Sequence, residues 1–181
     1  MRRLYILLFY ILFVGVIAKP CFGEQEWKQR APEALHKMLY RDFKDIESFG
    51  YIMVFFQGKD TKKIGLNEYE LTDYVKLSFK SNFGKMKYKN MSIERFPSIY
   101  YNEAEAKKTG RIICWVWVVG TDYPIAYHIR CEAGNFKDFS IWSDAVLGYS
   151  SKRNVLDDVR KGLDKMMERL AIDFFKARSE L

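Results

Sequence analysis

Residues 111–119 (RIICWVWVV), 120–124 (GTDYP) and 125–132 (IAYHIRCE) carry the stretch of sequence that decides the fold. The first and third segments are rich in β-branched and aromatic residues, which favour strands. The segment between them contains Gly120 and Pro124, residues that are typical of a turn. The sequence therefore predicts a β-hairpin.

The register of this hairpin predicts a disulfide bond. If the turn is centred between Asp122 and Tyr123, Cys114 lies directly opposite Cys131. Opposite residues at a non-hydrogen-bonded position have Cβ atoms about 4.5–5.5 Å apart, slightly wider than a disulfide needs. A register shift of one residue would send one cysteine to the other face and leave two buried thiols. We expect a Cys114–Cys131 disulfide, because such bonds persist in exported proteins.

The same register separates an aliphatic face of the hairpin from an aromatic and polar face. The second face carries Trp115 opposite Arg130 and Trp117 opposite His128. Because the aliphatic face suits packing against helices, these four residues form a candidate binding surface. The alternative is that an N-terminal helix or the loop at residues 85–110 covers both tryptophans.

The rest of the chain predicts an α+β fold. We expect a mostly antiparallel sheet of about four strands, with helices packed on one face in two layers. Hydrophobic periodicity and turn residues place the remaining elements as follows: an amphipathic helix within residues 24–48, a strand at 51–57, a helix at 68–82 capped by Asn67, a polar strand-like stretch at 85–90, a loop through Pro97 to Gly110, a strand at 139–146 that ends at Gly148, and a long helix from 154 to 178.

The N-terminus predicts export. Arg2 and Arg3 precede an apolar run at residues 4–18, which is shorter than the roughly 20 residues of a membrane span. We expect a signal peptide at residues 1–23, a single domain at 24–181 and a periplasmic or secreted protein. Cleavage after Ala18 and cleavage after Gly23 both remain open, and so does the fate of Cys21. The alternative is an uncleaved inner-membrane anchor.

Composition and charge exclude several classes of protein. Aromatic residues make up 17% of the chain, which excludes a disordered or low-complexity protein. The three cysteines form no CxxC motif, so a zinc finger or a thioredoxin-like motif is excluded. Removal of residues 1–23 leaves 27 basic residues against 23 acidic ones, without a dense basic stripe, and we expect no nucleic-acid partner. With only His36 and His128 in the chain, we expect no metal site, no cofactor and no histidine-based triad.

The order of several motifs resembles a group of uncharacterised bacterial exported proteins. The resemblance covers roughly residues 52–178 and rests on these segments: Gly65-Leu66, ELTDYVKLSFK (70–80), VWVV (116–119), AYHIR (126–130), IWSDAVLGYS (141–150) and VRKGLDKMMERLAIDFF (159–175). It implies an exported α+β domain. It implies no activity and no functional residues, since the motifs are architectural.

Three hypotheses for function follow from the sequence. The first is a non-enzymatic interaction or ligand-binding module, which uses the Trp115/Trp117/Arg130 face or a free sheet edge to bind an envelope protein or another envelope component. The second is a small periplasmic enzyme, for which Asp122, Tyr123 and His128 are the candidate residues. The third is a subunit of an inner-membrane assembly that remains attached through its uncleaved N-terminus.

Overall fold

Five strands form one mixed sheet in the computed structural model, which describes residues 40–179. The strand order is β2-β1-β3-β4-β5, parallel from β2 through β1 to β3 and antiparallel from β3 to β5. The strands are β1 (Ser48–Gln57), β2 (Lys87–Tyr88), β3 (Thr109–Val119), β4 (Ile125–Asn135) and β5 (Trp142–Ser150). The α+β class is confirmed, but the sheet has five strands rather than about four, and it is half parallel rather than mostly antiparallel. The parallel half arises because β1 and β3 run side by side and are joined by a helical crossover.

Helices connect and cover the sheet. They are α1 (Asp60–Lys63), α2 (Glu68–Phe83), α3 (Phe96–Tyr101), α4 (Glu103–Lys108) and α5 (Val155–Arg178), with 3-10 turns at Arg41–Asp45 and Ile93–Arg95. The predicted cap of α2 is confirmed: Asn67 Oδ1 accepts hydrogen bonds from the backbone N–H of Tyr69 at 2.9 Å and of Glu70 at 3.3 Å.

The main core lies between the sheet and the two long helices, α2 and α5. Apolar residues that recur at helical spacing along α5 form a buried stripe that faces the sheet: Val155, Val159, Leu163, Met166, Met167, Leu170, Ala171 and Phe174. The centre of this core is an aromatic cluster with ring centroids 4.5–5.7 Å apart, formed by Phe49, Phe79, Phe83 and Phe174. The face of the sheet that α2 and α5 cover is called the core face below.

A second, smaller cluster lies on the opposite face of the sheet, at one end only. Its buried members are Tyr51, Ile99, Ala106 and Phe136. The chain between residues 91 and 108, which we predicted to be a loop, supplies part of this cluster through α3 and α4. Helices therefore pack on both faces of the sheet, and not on one face as predicted. Pro97 fits the first turn of α3, and Asn102 caps α4 through a 3.3 Å hydrogen bond from Glu105 N–H.

The structure corrects two further predicted elements. The helix expected within residues 24–48 is only a 3-10 turn where it is described, and Ser48 already begins β1. Residues 24–39, like the predicted signal peptide at 1–23, lie outside the described residues. The last strand is shifted toward the C-terminus, at Trp142–Ser150 instead of 139–146, and Gly148 lies inside it. A Cβ at Gly148 would collide with the Tyr127 ring, so this glycine makes room for a cross-strand aromatic side chain.

The outer edge of β1 is covered by side chains of α2. The backbone N–H of Val54 donates to Thr72 Oγ1 at 3.0 Å, and that of Phe56 donates to Glu68 Oε1 at 2.7 Å. These bonds satisfy N–H groups that point away from β3 and that an edge strand would otherwise expose. This edge of the sheet is therefore closed to backbone pairing along much of β1.

Candidate functional site

The two tryptophans of β3 lie on the face of the sheet opposite the core face. Burial alternates along β3: Cys114, Val116 and Val118 are buried among the helices, whereas Trp115 and Trp117 are only partly buried. This alternation follows from the pleat of a strand, which sends successive side chains to opposite faces. The structure therefore places Trp115 and Trp117 on the face that the sequence predicted.

The hairpin register is also the predicted one. Trp115 pairs with Arg130, and Trp117 pairs with His128, whose ring centroid lies 5.1 Å from that of Trp117. The four candidate binding residues are therefore neighbours on one surface.

Neighbouring strands extend this surface on both sides. Phe55 of β1 lies beside Trp115, and Leu147 of β5 lies beside His128. Tyr149 lies two residues beyond Leu147 and therefore on the same side of β5. Leu147 and Tyr149 are 64% and 65% exposed, unusually high values for large apolar side chains in a strand. We call this surface the aromatic face; its members are Phe55, Trp115, Trp117, His128, Arg130, Leu147 and Tyr149.

The segment at residues 85–110 covers a different part of this side of the sheet. Its α3 and α4 pack over Tyr51 and the partly buried Met53 and Ile113. Ile113 precedes Trp115 by one position on the same side of β3. The cluster thus forms one boundary of the aromatic face, and the loop that we considered as a cover for the tryptophans packs beside them.

The positive charge of Arg130 on the aromatic face has an acidic partner next to the face. Arg130 forms a 2.5 Å ion pair with Glu132, the next outward-pointing residue of β4. The Arg130 side chain is still half exposed, and Gln57 lies beside Trp117 on β1. The surface therefore offers aromatic rings for stacking and a few polar groups for hydrogen bonding, a combination common in binding sites.

Beyond the boundary cluster, Arg111 is held by Phe139. The Arg111 guanidinium lies 4.2 Å from the centroid of the Phe139 ring and donates a 2.7 Å hydrogen bond to the Phe139 carbonyl. Burial lowers the pKa of Arg111 from its ordinary value, and Glu132 opposes this effect. Arg111 thus has a structural role. Arg130, whose side chain is half exposed, is the cationic member of the aromatic face.

The predicted disulfide is present on the core face of the hairpin. The Sγ atoms of Cys114 and Cys131 are 2.08 Å apart, the Cα atoms are 4.0 Å apart, and both residues are fully buried. A buried disulfide indicates an oxidising compartment. The short Cα separation also marks a non-hydrogen-bonded pair of the β3–β4 ladder.

The three residues considered for catalysis do not lie together. Asp122 and Tyr123 are exposed in the turn after β3, with Tyr123 at 79%, whereas the ring of His128 packs against Trp117 within β4. The structure brings His128 into the aromatic face and leaves the other two at the tip of the hairpin.

Residues 40–179 contain no group of three or more His, Cys, Asp or Glu side chains placed to hold a metal ion. Within the same range, no helix combines the length and apolar character needed to cross a membrane. A shallow depression between α2 and β2 is lined by Lys76, Lys80 and Tyr88, and burial raises the pKa of Tyr88 to about 12.

The chain was also compared with known proteins. No protein-family model matches it, and no curated protein matches it. Two solved structures, the PelC dodecamer from Paraburkholderia phytofirmans and a point variant of it, are similar at 10% sequence identity with TM-scores of 0.46 and 0.44. In both comparisons the matched region covers 70% of this chain and 89% of the PelC chain. The comparisons thus show a weak structural resemblance over part of the chain.

Sequence reasoning missed three members of the aromatic face: Phe55, Leu147 and Tyr149. For β5, the two-residue period of a strand places Leu147 and Tyr149 on one face, but both faces of WSDAVLGYS mix polar and apolar residues, so the pattern does not show which face is exposed. For Phe55 no local signal exists, because its neighbour Trp115 comes from a distant part of the chain.

Proposed function

We propose that this protein is an exported bacterial binding module of the cell envelope, without catalytic activity, which binds an envelope protein or another envelope component through its aromatic face. One observation carries the proposal: among the described residues, the helices cover the core face and only one end of the other face. Large aromatic and aliphatic side chains remain accessible on the rest. Monomeric soluble proteins rarely expose such a patch without using it.

The chemistry of the aromatic face supports binding. Tryptophan, tyrosine and arginine dominate the residues that contribute most to association, because they bury a large area and also donate hydrogen bonds. The face carries all three types in Trp115, Trp117, Arg130 and Tyr149. The face extends over four adjacent strands, β1, β3, β4 and β5. At the ordinary strand spacing these strands span about 14 Å, which is wide enough for one extended chain or one helix to bind.

Two independent features support the proposed place of action. The apolar run at residues 4–18 is typical of a signal peptide, and the buried Cys114–Cys131 disulfide suits an oxidising compartment such as the periplasm. Together they support an envelope partner rather than a cytoplasmic one.

Affinity capture from envelope extracts tests the proposal. The native chain and its Trp117→Ala variant would be immobilised in equal amounts and the captured envelope material quantified. The matched control is Tyr69→Ala, since Tyr69 is 79% exposed on α2, away from the aromatic face. We expect native protein and control to capture the same component, and Trp117→Ala to bind it about 30-fold more weakly, the effect of losing a central aromatic contact.

Direct binding of the captured component would then be followed by tryptophan fluorescence, because Trp115 and Trp117 are partly exposed on the aromatic face. Circular dichroism and a count of free thiols establish that each variant is folded with its disulfide intact. Equal capture by the native protein and Trp117→Ala would contradict the proposal.

A further inference from the structure

The outer edge of β5 differs from the outer edge of β1. On β1, Thr72 and Glu68 accept hydrogen bonds from outward-pointing N–H groups. On β5, no such bond from residues 40–179 reaches the N–H of Leu147 or Tyr149. The strand is long, at nine residues, and its pairing with β4 is regular from Trp142 to Ser150 without a bulge.

The ladder geometry identifies which backbone groups of β5 point outward. Cys114 and Cys131 form a non-hydrogen-bonded pair, so the N–H and C=O of Cys131 point toward β5 and bond with Asp144. The alternate residues of β5 therefore direct their N–H and C=O groups away from the sheet. These residues are Ser143, Ala145, Leu147 and Tyr149.

Devices that normally protect an edge strand are nearly absent from β5. The strand contains neither Lys nor Pro, and its one charged residue is Asp144. That charge is neutralised on the core face, where Arg169 Nη1 lies 3.0 Å from Asp144 Oδ2. The other carboxylate oxygen accepts the Ala145 N–H at 2.9 Å, a local bond that a ladder bond can replace.

We propose that the β5 edge is a self-association interface, at which two copies of this chain pair their β5 strands antiparallel about a twofold axis at Val146. The strand is complementary to itself in this register. Leu147 lies opposite the partner's Ala145, and Tyr149 lies opposite the partner's Ser143, so each large side chain on the aromatic face meets a small one.

Charge favours the same register. Asp144 lies opposite the partner's Gly148, which leaves both carboxylates with their own Arg169. A twofold axis placed two residues earlier, at Asp144, would set the two carboxylates directly opposite each other, and like charges in that arrangement are destabilising. The register about Val146 is also the one that pairs all nine residues of the strand.

Paired in this way, the outward groups of β5 gain partners. Ser143 with the partner's Tyr149, and Ala145 with the partner's Leu147, each exchange both N–H···O bonds. The two sheets become one, and the two aromatic faces become continuous across Leu147 and Tyr149. The interface is isologous and closed, so association stops at two copies.

Sedimentation velocity of the full mature chain at about 1–100 μM tests this proposal. We expect twice the monomer mass at the upper concentrations. In Leu147→Pro the outward N–H is lost while the ladder with β4 is untouched, since proline is tolerated in an edge strand at this kind of position. By symmetry two hydrogen bonds are lost at once, and dimerisation should weaken about 30-fold or more.

Leu147→Lys is a second disrupting variant, because it places a charge on the same edge without altering the backbone. Its matched control is Leu77→Lys: Leu77 is 63% exposed on α2, against 64% for Leu147. We expect the control to dimerise like the native chain. The measurement uses the purified chain alone, so its outcome is independent of the proposed envelope ligand.

Three results would overturn the proposal. The native chain could stay monomeric at 100 μM, as it would if the edge bound only an extended segment of another protein. It could form a dimer that Leu147→Pro and Leu147→Lys both leave intact, which would place the interface elsewhere. The Leu147 and Tyr149 amides could also be protected from hydrogen exchange to the same degree at every protein concentration, which would mean that the chain covers its own edge.

Discussion

Reduction of the Cys114–Cys131 disulfide tests how strongly the central hairpin depends on its cross-link. Reduction removes the cross-link and little else, because both sulfur atoms are buried on the core face and remain there as thiols. The cross-link is thus removed without creating a cavity. The experiment is done in a Cys21→Ala background, which leaves these two as the only cysteines.

The expected magnitude follows from the 17-residue separation of the two cysteines. In the chain-entropy model, a closed loop of this size contributes about 3 kcal/mol to the free energy of unfolding at 25 °C. That is a large part of the roughly 5–15 kcal/mol by which domains are stable. For a protein of this size the same loss lowers Tm by about 6–12 °C.

Urea unfolding, followed by tryptophan fluorescence with and without a phosphine reductant, measures this quantity. The matched control is the double variant Cys114→Ala/Cys131→Ala, whose free energy of unfolding should be the same in both conditions. Mass spectrometry after alkylation establishes that reduction is complete. If the fully reduced native chain unfolds at the same urea concentration as the oxidised chain, the proposed contribution of the cross-link is wrong.

Three further predictions concern the stability of the fold. Burial, together with a hydrogen bond to Asp164, raises the pKa of Tyr74 to about 12. An unfolded tyrosine ionises near pH 10, so the neutral Tyr74 side chain contributes fully to the free energy of unfolding below pH 10, and this contribution is lost as the pH rises through about 12. Between pH 9 and 12, the free energy of unfolding from urea titrations should therefore fall less for Tyr74→Phe than for the native chain. An equal dependence on pH in the two proteins would contradict this prediction. Phe174→Ala should lower the free energy of unfolding by about 3–5 kcal/mol, since Phe174 joins three other aromatic rings in the core; a loss below 1 kcal/mol in urea unfolding would argue against a tightly packed cluster. Asn67→Ala should cost about 1 kcal/mol in the same assay through loss of the α2 cap, whereas Asn67→Asp, which keeps the acceptor oxygen, should be close to native.

Local patterns were sufficient to predict much of this fold from the sequence. The β3–β4 hairpin, its register and its disulfide followed from alternation around one turn, because short-range geometry determines which residues face each other. The boundaries of α2 and the buried stripe of α5 followed from capping and from helical periodicity. The same register yielded four members of the aromatic face.

Features that depend on distant parts of the chain were not predictable in this way. The parallel pairing of β1 with β3 carries no turn signature, so the position of Phe55 beside Trp115 was missed. The sequence pattern treated Gly148 as a strand end, whereas its role is to leave space for Tyr127 on the neighbouring strand. The short helices α3 and α4 are held by contacts with Tyr51 and Phe136, which no local propensity contains.

The side chains that cover the edge of β1 have a consequence for the order in which the protein folds. β1 is the first strand of the described chain to leave the ribosome or the export channel, and its apolar run YIMVFF (51–56) is prone to aggregate while unpaired. Its partner in β3 arrives late: Val54 pairs with Cys114, far along the chain. Thr72 and Glu68 follow within 18 residues, and short loops close faster than long ones. We therefore expect α2 to shield the nascent strand while the rest of the sheet is still being made.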